Sequence, residues 1–304
     1  MFIKKIKTSM IVSTLIVAGI QSTFATENGL QSYPIGVDTV LDGIVPAPSQ
    51  TQFYNYTALY TADRFAGPNG GSVVPNFKVN VFVDSARVLH TWGSMLGPFT
   101  LTSGIAVPLI HAQTTVPVGG DSRWGLGDVV VHAMKFGYSN ESHSLFSILT
   151  FDFSLPTGSF SNTKIAATGT NYYAFIPNMS VTVFPVSNVE FSATGGWEIN
   201  SPNHKDGYHS GNVLFLDWVA GYSISPQLQL GVQGYALRQI TDDTLNGNVV
   251  EDGFRGRVFA IGPQIRFNIT PTSGVVFKWQ HEFAARNRPQ GDRLWIELTF
   301  PLKS

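Results

Sequence analysis

The sequence predicts an all-β fold: a transmembrane, antiparallel up-and-down β-barrel of about twelve strands, with an N-terminal segment in its lumen. Three observations carry this. Segments near the C-terminus alternate apolar and polar side chains, the candidate strands are long enough to cross a bilayer, and the links between strands alternate between short and long.

The alternation is clearest in three segments. From Val258 to Ile269 one face reads Phe259, Ile261, Pro263, Ile265, Phe267, Ile269, and the other Ala260, Gly262, Gln264, Arg266, Asn268. From Val275 to Phe283 the apolar residues Val275, Phe277, Trp279 and Phe283 oppose Lys278, Gln280 and Glu282. From Arg293 to Phe300, Leu294, Ile296, Leu298 and Phe300 oppose Arg293, Glu297 and Thr299. A soluble sandwich could also bury such a face, but these segments run roughly nine to thirteen residues, the span of a tilted transmembrane strand. In a barrel the apolar face meets lipid and the charges line a wet interior.

Composition agrees. The chain has 304 residues, a net charge of -1, 13% charged residues, 12% aromatics and no cysteine. Near-neutral charge gives no electrostatic reason to bind nucleic acid, and without cysteine there are no disulfides or thiolate metal sites. Residues 1–25 read as a secretory signal peptide: Lys4, Lys5 and Lys7 precede an apolar stretch from Met10 to Ile20 and a small-residue site ending at Ala25. No later run of about eighteen apolar residues follows, so no membrane helix is expected. The sequon-like Asn55-Tyr56-Thr57 and Asn268-Ile269-Thr270 fall within predicted strands and read as chance matches.

Residues 26–50 lack periodicity and carry Pro34, Pro46 and Pro48. They read as an irregular, plug-like segment preceding a barrel over 51–304. Strands are expected at 51–61, 76–92, 98–108, 125–138, 143–155, 171–184, 188–200, 211–223, 227–239, 254–269, 273–284 and 292–301. Long links fall at 62–75, 109–124, 156–170, 201–210, 240–253 and 285–291. The short ones carry turn residues such as Ser139-Asn140, Ser225-Pro226 and Pro271-Thr272. Tight turns on one rim and long loops on the other are the habit of outer-membrane barrels. Tyr60, Trp92, Trp124, Tyr138, Trp197, Tyr208, Tyr222 and Trp295 lie near strand ends, as an interfacial aromatic girdle would.

Several short motifs occur in order: Tyr33-Pro34-x-Gly36, Gly43-x-x-Pro46-x-Pro48, Trp124-Gly125-Leu126-Gly127-Asp128, Leu155-Pro156-Thr157-Gly158, Tyr208-x-x-Gly211, Gln239-x-Thr241-Asp242-Asp243, Gly262-Pro263 and Arg286-Asn287-Arg288. Through them the chain resembles the MetA-pathway phenol-degradation (SphA-like) family of Gram-negative outer-membrane proteins, over nearly all of its mature length. The resemblance implies a barrel in the outer membrane and passive import of small hydrophobic, plausibly aromatic, compounds. It carries over no catalytic residues. One departure is that Phe300 is followed by Pro301-Leu302-Lys303-Ser304, whereas many such barrels end on an aromatic.

A barrel this wide holds water, ligand or a plug in its lumen. Phe82, Phe146, Ile148, Ile176 and Phe184 interrupt the nominally wet face and form a candidate apolar site for a hydrophobic solute. Asp152, Arg266, Lys278, Glu282 and Glu297 fall on the wet face, where mutual pairing or contact with solute would use them. The expected partners are outer-membrane lipid and that solute. No cofactor or metal is expected, since His204, Asp206, His209, Asp242, Asp243 and Asp252 read as solvated loop chemistry. An enzyme is not expected either. No histidine precedes a serine by two positions, so no single strand presents that pair. A Ser–His pair joined across strands at the outer rim would mark a lipid-modifying enzyme. The alternative to a channel is a structural or adhesive barrel acting through its long loops.

Overall fold

The computed structural model describes residues 31–302. The signal peptide, its cleavage near Ala25 and residues 26–30 of the plug-like segment lie outside the described residues. Sixteen strands follow in chain order. The first eight are β1 (Thr51–Ala66), β2 (Lys78–Leu96), β3 (Phe99–Val116), β4 (Gly119–Leu126), β5 (Val129–Ser139), β6 (Leu145–Leu155), β7 (Ala174–Val186) and β8 (Val189–Asn200). Then come β9 (Tyr208–His209), β10 (Val213–Ser223), β11 (Leu228–Gln239), β12 (Thr244–Leu245), β13 (Asn248–Val249), β14 (Arg257–Thr270), β15 (Ser273–Arg286) and β16 (Arg288–Leu302).

Twelve of these close an antiparallel barrel. Each pairs with its barrel neighbour in sequence, β1 pairs with β16, and β4 lies on β3 as an extension. Closure removes the sheet edges that lipid could not satisfy. The alternation read from sequence sets the faces. Phe259, Ile261, Ile265, Phe267, Phe277, Trp279, Leu294, Ile296, Leu298 and Phe300 are exposed on the outer surface, while Gln264, Arg266, Lys278, Gln280, Glu282 and Glu297 are buried inside. A polar island interrupts the outer face: Asp84 accepts hydrogen bonds from Asn55 (2.9 Å) and Thr57 (2.8 Å) in register with exposed Leu109.

Two of the six expected long links are not loops. Over 109–124, β3 continues to Val116 and turns into β4, so the segment is a β-hairpin standing beyond the barrel; Gly127 and Asp128 then break the strand between β4 and β5. Over 285–291, only Asn287 separates β15 from β16, in the left-handed conformation (φ 49°) that asparagine tolerates better than most residues. Both stretches lack the apolar alternation that marks membrane crossing because they lie beyond the bilayer, where strand pairing needs no greasy face. The girdle is also smaller than expected. Trp92, Trp124, Tyr138, Trp197 and Tyr222 are exposed, but Trp295 is buried in the lumen and Tyr60 bonds to the luminal Glu282.

The long-loop rim is tied down by side chains of the sequence motifs. Asp128 accepts from Gly158 N (2.8 Å), Thr170 N (2.7 Å) and Thr170 Oγ1 (2.8 Å), joining the Trp124–Asp128 motif to the Leu155–Gly158 motif. Asp243 accepts from Tyr208 (2.5 Å), Gly211 N (2.7 Å) and Gln239 (2.7 Å), joining the loops that carry β9, β12 and β13. Asp121 accepts from Ile165 N and Ala166 N, both at 3.2 Å. The Ala166 N–H above all, with the Ser122 N–H and the Lys164 ammonium, holds the Asp121 carboxyl below its usual range.

Candidate functional site: the lumen and its N-terminal segment

Residues 31–50 are not strand, and they run down the lumen from the long-loop rim, where Gln31 meets Arg288, to the short-turn rim, where Ser49 N donates to Thr91 O at 2.8 Å. A segment without ladder partners must satisfy its backbone polar groups elsewhere, and here the barrel wall supplies them. Glu198 accepts from Ser32 N (3.1 Å) and Tyr33 N (2.8 Å). Asp217 accepts from Gly36 N (2.9 Å), Asp38 N (3.2 Å) and the Tyr33 hydroxyl (2.9 Å). Glu190 accepts from Leu41 N (2.9 Å), and Thr182 from Gly43 N (3.0 Å).

Cations and amides take the carbonyls. Lys278 donates to the oxygens of Gly36 and Val37, both at 2.9 Å, and to Thr39 (3.1 Å), while it pairs with Glu297 and lies 5.2 Å from the centre of the Trp295 ring. Gln280 donates to Gly36 O at 3.0 Å, and Arg293 donates to Ile35 O. Bonds with a charged partner are the stronger kind, and inside a low-dielectric lumen they fix the segment in one register. Tyr33, Ile35 and Val37 then pack with Tyr56, Ile176, Phe215, Tyr235 and Trp295 in one buried cluster, with Tyr33 stacked on Phe215 at 3.7 Å between ring centres. Gly36 is required at its position: its φ is +84°, and a Cβ there would sit 2.5 Å from Gln280 and 2.8 Å from Tyr235.

The expected site residues divide into groups. Ile148 is buried on the inward face and lines a cavity, as do Arg266 and Glu297. Ile176 is inward but packed in the cluster with Tyr33 and Ile35. Phe146 and Phe184 share the inward register near the short turns, where their rings meet edge to face at 6.1 Å. Phe82 is a correction: its partner across β1 is Leu59, 49% exposed, and its ring lies 5.9 Å from Trp124, so it points outward. Its position in β2 is one step out of phase with the buried Leu89 and the cluster-packed Val83, and an apolar residue on either face looks alike in sequence.

The charged residues pair inside. Arg266 bonds Glu190 at 2.7 Å, Asp152 accepts from His132 at 2.7 Å and Asn178 at 3.3 Å, and Glu282 accepts from Tyr60 (2.8 Å), Tyr235 (2.5 Å) and Gly291 N (2.8 Å). Sequence reading missed Glu198, Arg87 and Lys135 as luminal groups. Arg87 lies over the rings of Tyr54 and Tyr56 at 4.6 and 4.7 Å, and is paired with Asp38 at 3.4 Å. Period-two parity along β8 from Glu190 could have found Glu198, but the bulge between His132 and Met134 hides Lys135 from the same rule.

Below the packed cluster lies a cavity of about 270 Å3 that reaches the turn between β14 and β15. Val40, Leu41, Ile44, Leu89 and Ile148 make its apolar wall, with Tyr54, Tyr56, Arg87, Lys135 and Arg266 among its polar lining. On the outer face, the small Gly195 and Gly196, opposite Met179 and Asn178, leave an apolar groove lined by Pro177, Trp197 and Phe215.

The family described as "Putative MetA-pathway of phenol degradation" matches residues 62–298. The chain belongs to this family. Among solved structures, an outer membrane channel from Pseudomonas putida F1 is similar to this family member with a TM-score of 0.75 and 17% identity, over 86% of this chain and 98% of that one. The β domain of the Bordetella autotransporter BrkA follows with a TM-score of 0.52 and 11% identity, over 84% of this chain and 100% of that one. No curated protein sequence matches. The family member is an outer-membrane β-barrel.

At the long-loop rim, His111 Nε2 lies 2.9 Å from Ser122 Oγ across β3 and β4, with the imidazole stacked on Trp124 at 4.4 Å. No group holds the other ring nitrogen among the described residues. The loop residues His209 and Asp243 are engaged in loop hydrogen bonds, and no cluster of three or more His, Asp and Glu is placed to hold a metal among the described residues.

Proposed function

We propose that this barrel is a channel for passive uptake of small hydrophobic compounds, including aromatic ones, across the outer membrane. The observation that carries the reading is the luminal cavity. It holds about 270 Å3 beneath the packed N-terminal segment, with aliphatic side chains and two tyrosine rings on its wall, and roughly 150 Å3 lined by apolar side chains is enough to take benzene. The phenol-degradation description of the family and the channel from Pseudomonas putida support the same reading. Passage needs no cofactor and no energy source. The test is uptake of a limiting aromatic substrate by cells with and without the protein: slower uptake in its absence is expected, and equal rates would overturn the reading.

A lipid-modifying enzyme at the long-loop rim would use the His111–Ser122 pair. Among the described residues that pair has no third residue orienting the imidazole, which a hydrolytic Ser–His unit normally requires. The channel reading therefore stands without a catalytic step. Replacing Ser122 with alanine is expected to leave outer-membrane lipid composition unchanged, as read by mass spectrometry.

A further inference from the structure

The cavity has a chemical bias that its apolar wall does not explain. Lys135 is buried, and among the described residues its ammonium has a single hydrogen-bond partner, the Thr150 hydroxyl at 3.2 Å. The nearby carboxylate Asp152 bonds His132 and Asn178 and makes no direct hydrogen bond to the Lys135 ammonium among the described residues. Arg87 Nε and Arg266 Nε are also buried without a partner among the described residues, although both residues line the cavity and bond an acid through their terminal nitrogens.

The acidic lining groups have been spent differently. Asp38 is paired with Arg87 and Glu297 with Lys278, which leaves Asp42 with one buried oxygen that has no partner. Around the cavity, among the described residues, Arg87 Nε and Arg266 Nε have no partner and the Lys135 ammonium has one, against an unpartnered oxygen of Asp42 and a Glu297 Oε1 met only by Lys278. Buried donors left without partners are costly, and a molecule that brings acceptors relieves them.

We propose that the cavity is a binding site for small organic carboxylates with a flat or branched apolar body, of the benzoate class. The carboxylate lies toward Lys135 and the guanidinium edge of Arg87, and the body lies against Leu89, Ile148 and the Tyr54 ring. This rests on the uptake reading and narrows it, from hydrophobic compounds in general to those that carry an anionic head.

The experiment uses the full-length protein in liposomes and compares flux of benzoate with flux of benzyl alcohol, a neutral molecule of similar size. Saturable benzoate flux is expected to exceed that of benzyl alcohol. In Lys135→Met the ratio of the two is expected to fall about tenfold, the factor that loss of one hydrogen bond to a charged group corresponds to. Lys135→Arg, which keeps the charge, restores the ratio, and heat-modifiable electrophoretic mobility shows that each variant is folded. If benzyl alcohol crosses and benzoate does not, or if the ratio is the same in Lys135→Met, the carboxylate site is overturned while the uptake reading stands. If neither solute crosses faster than in protein-free liposomes, both fail.

Discussion

The two ends of the lumen are built from the same kinds of residue and put them to opposite use. Toward the long loops, Glu198, Asp217, Lys278, Gln280 and Arg293 spend their bonding capacity on the backbone of residues 32–39, and aromatic side chains fill what remains. Toward the short turns the segment touches the wall at Leu41, Gly43 and Ser49, and Arg87, Lys135 and Arg266 keep donors free beside a cavity. The lesson is that an inward charge on a barrel strand has no fixed role. What it does depends on whether a chain segment arrives with acceptors to meet it.

That contrast can be broken most severely at Lys278. Lys278→Ala leaves Glu297 and two carbonyls without their cation and is expected to destabilise the folded barrel by about 3–5 kcal/mol, measured by urea unfolding in detergent. An unchanged urea midpoint would mean that the contacts of Lys278 with Gly36, Val37 and Glu297 carry no stability. Gly36→Val is the next largest, at roughly 1–3 kcal/mol, because a branched side chain is strained at positive φ and meets Gln280 and Tyr235. A single-channel recording sharpens it: a loosened segment raises conductance, whereas a merely strained one leaves conductance alone.

In the lower half, Ile148→Trp fills the cavity and is expected to reduce aromatic flux severalfold while the urea midpoint stays close to that of the parent, since the added ring enters space already empty. Flux equal to the parent's would place the route elsewhere. The smallest effect is outside the lumen, at Asp121. Its carboxyl is held below the ordinary range in the folded protein, so its contribution to ordering the 156–173 loop is present above the unfolded carboxylate range and is lost as pH falls through the depressed folded value. The amide resonances of Ile165 and Ala166 are expected to shift in that acidic window, and Asp121→Asn should abolish the shift.

Much of this was legible before any coordinates. Alternation over Val258–Phe300 gave the lipid face and the inward charges, and turn residues gave the short rim. The hairpin of β3 and β4 was not legible, because beyond the membrane a strand needs no apolar face and reads as loop. Phe82 was misplaced for a related reason: where both faces of a strand carry apolar residues, nothing in the chain sets the phase. Asp243 read as solvated loop chemistry and Asp128 only as part of a motif, yet each binds groups from two separate stretches of chain.

By itself the sequence determined that this protein crosses a membrane with strands, and which side chains of the last strands turn inward, because a period of two is a local property of the backbone. Only the tertiary structure decided which inward charges hold the N-terminal segment and which face the cavity. Those partners lie far apart along the chain, and they meet only once the sheet has closed around residues 31–50.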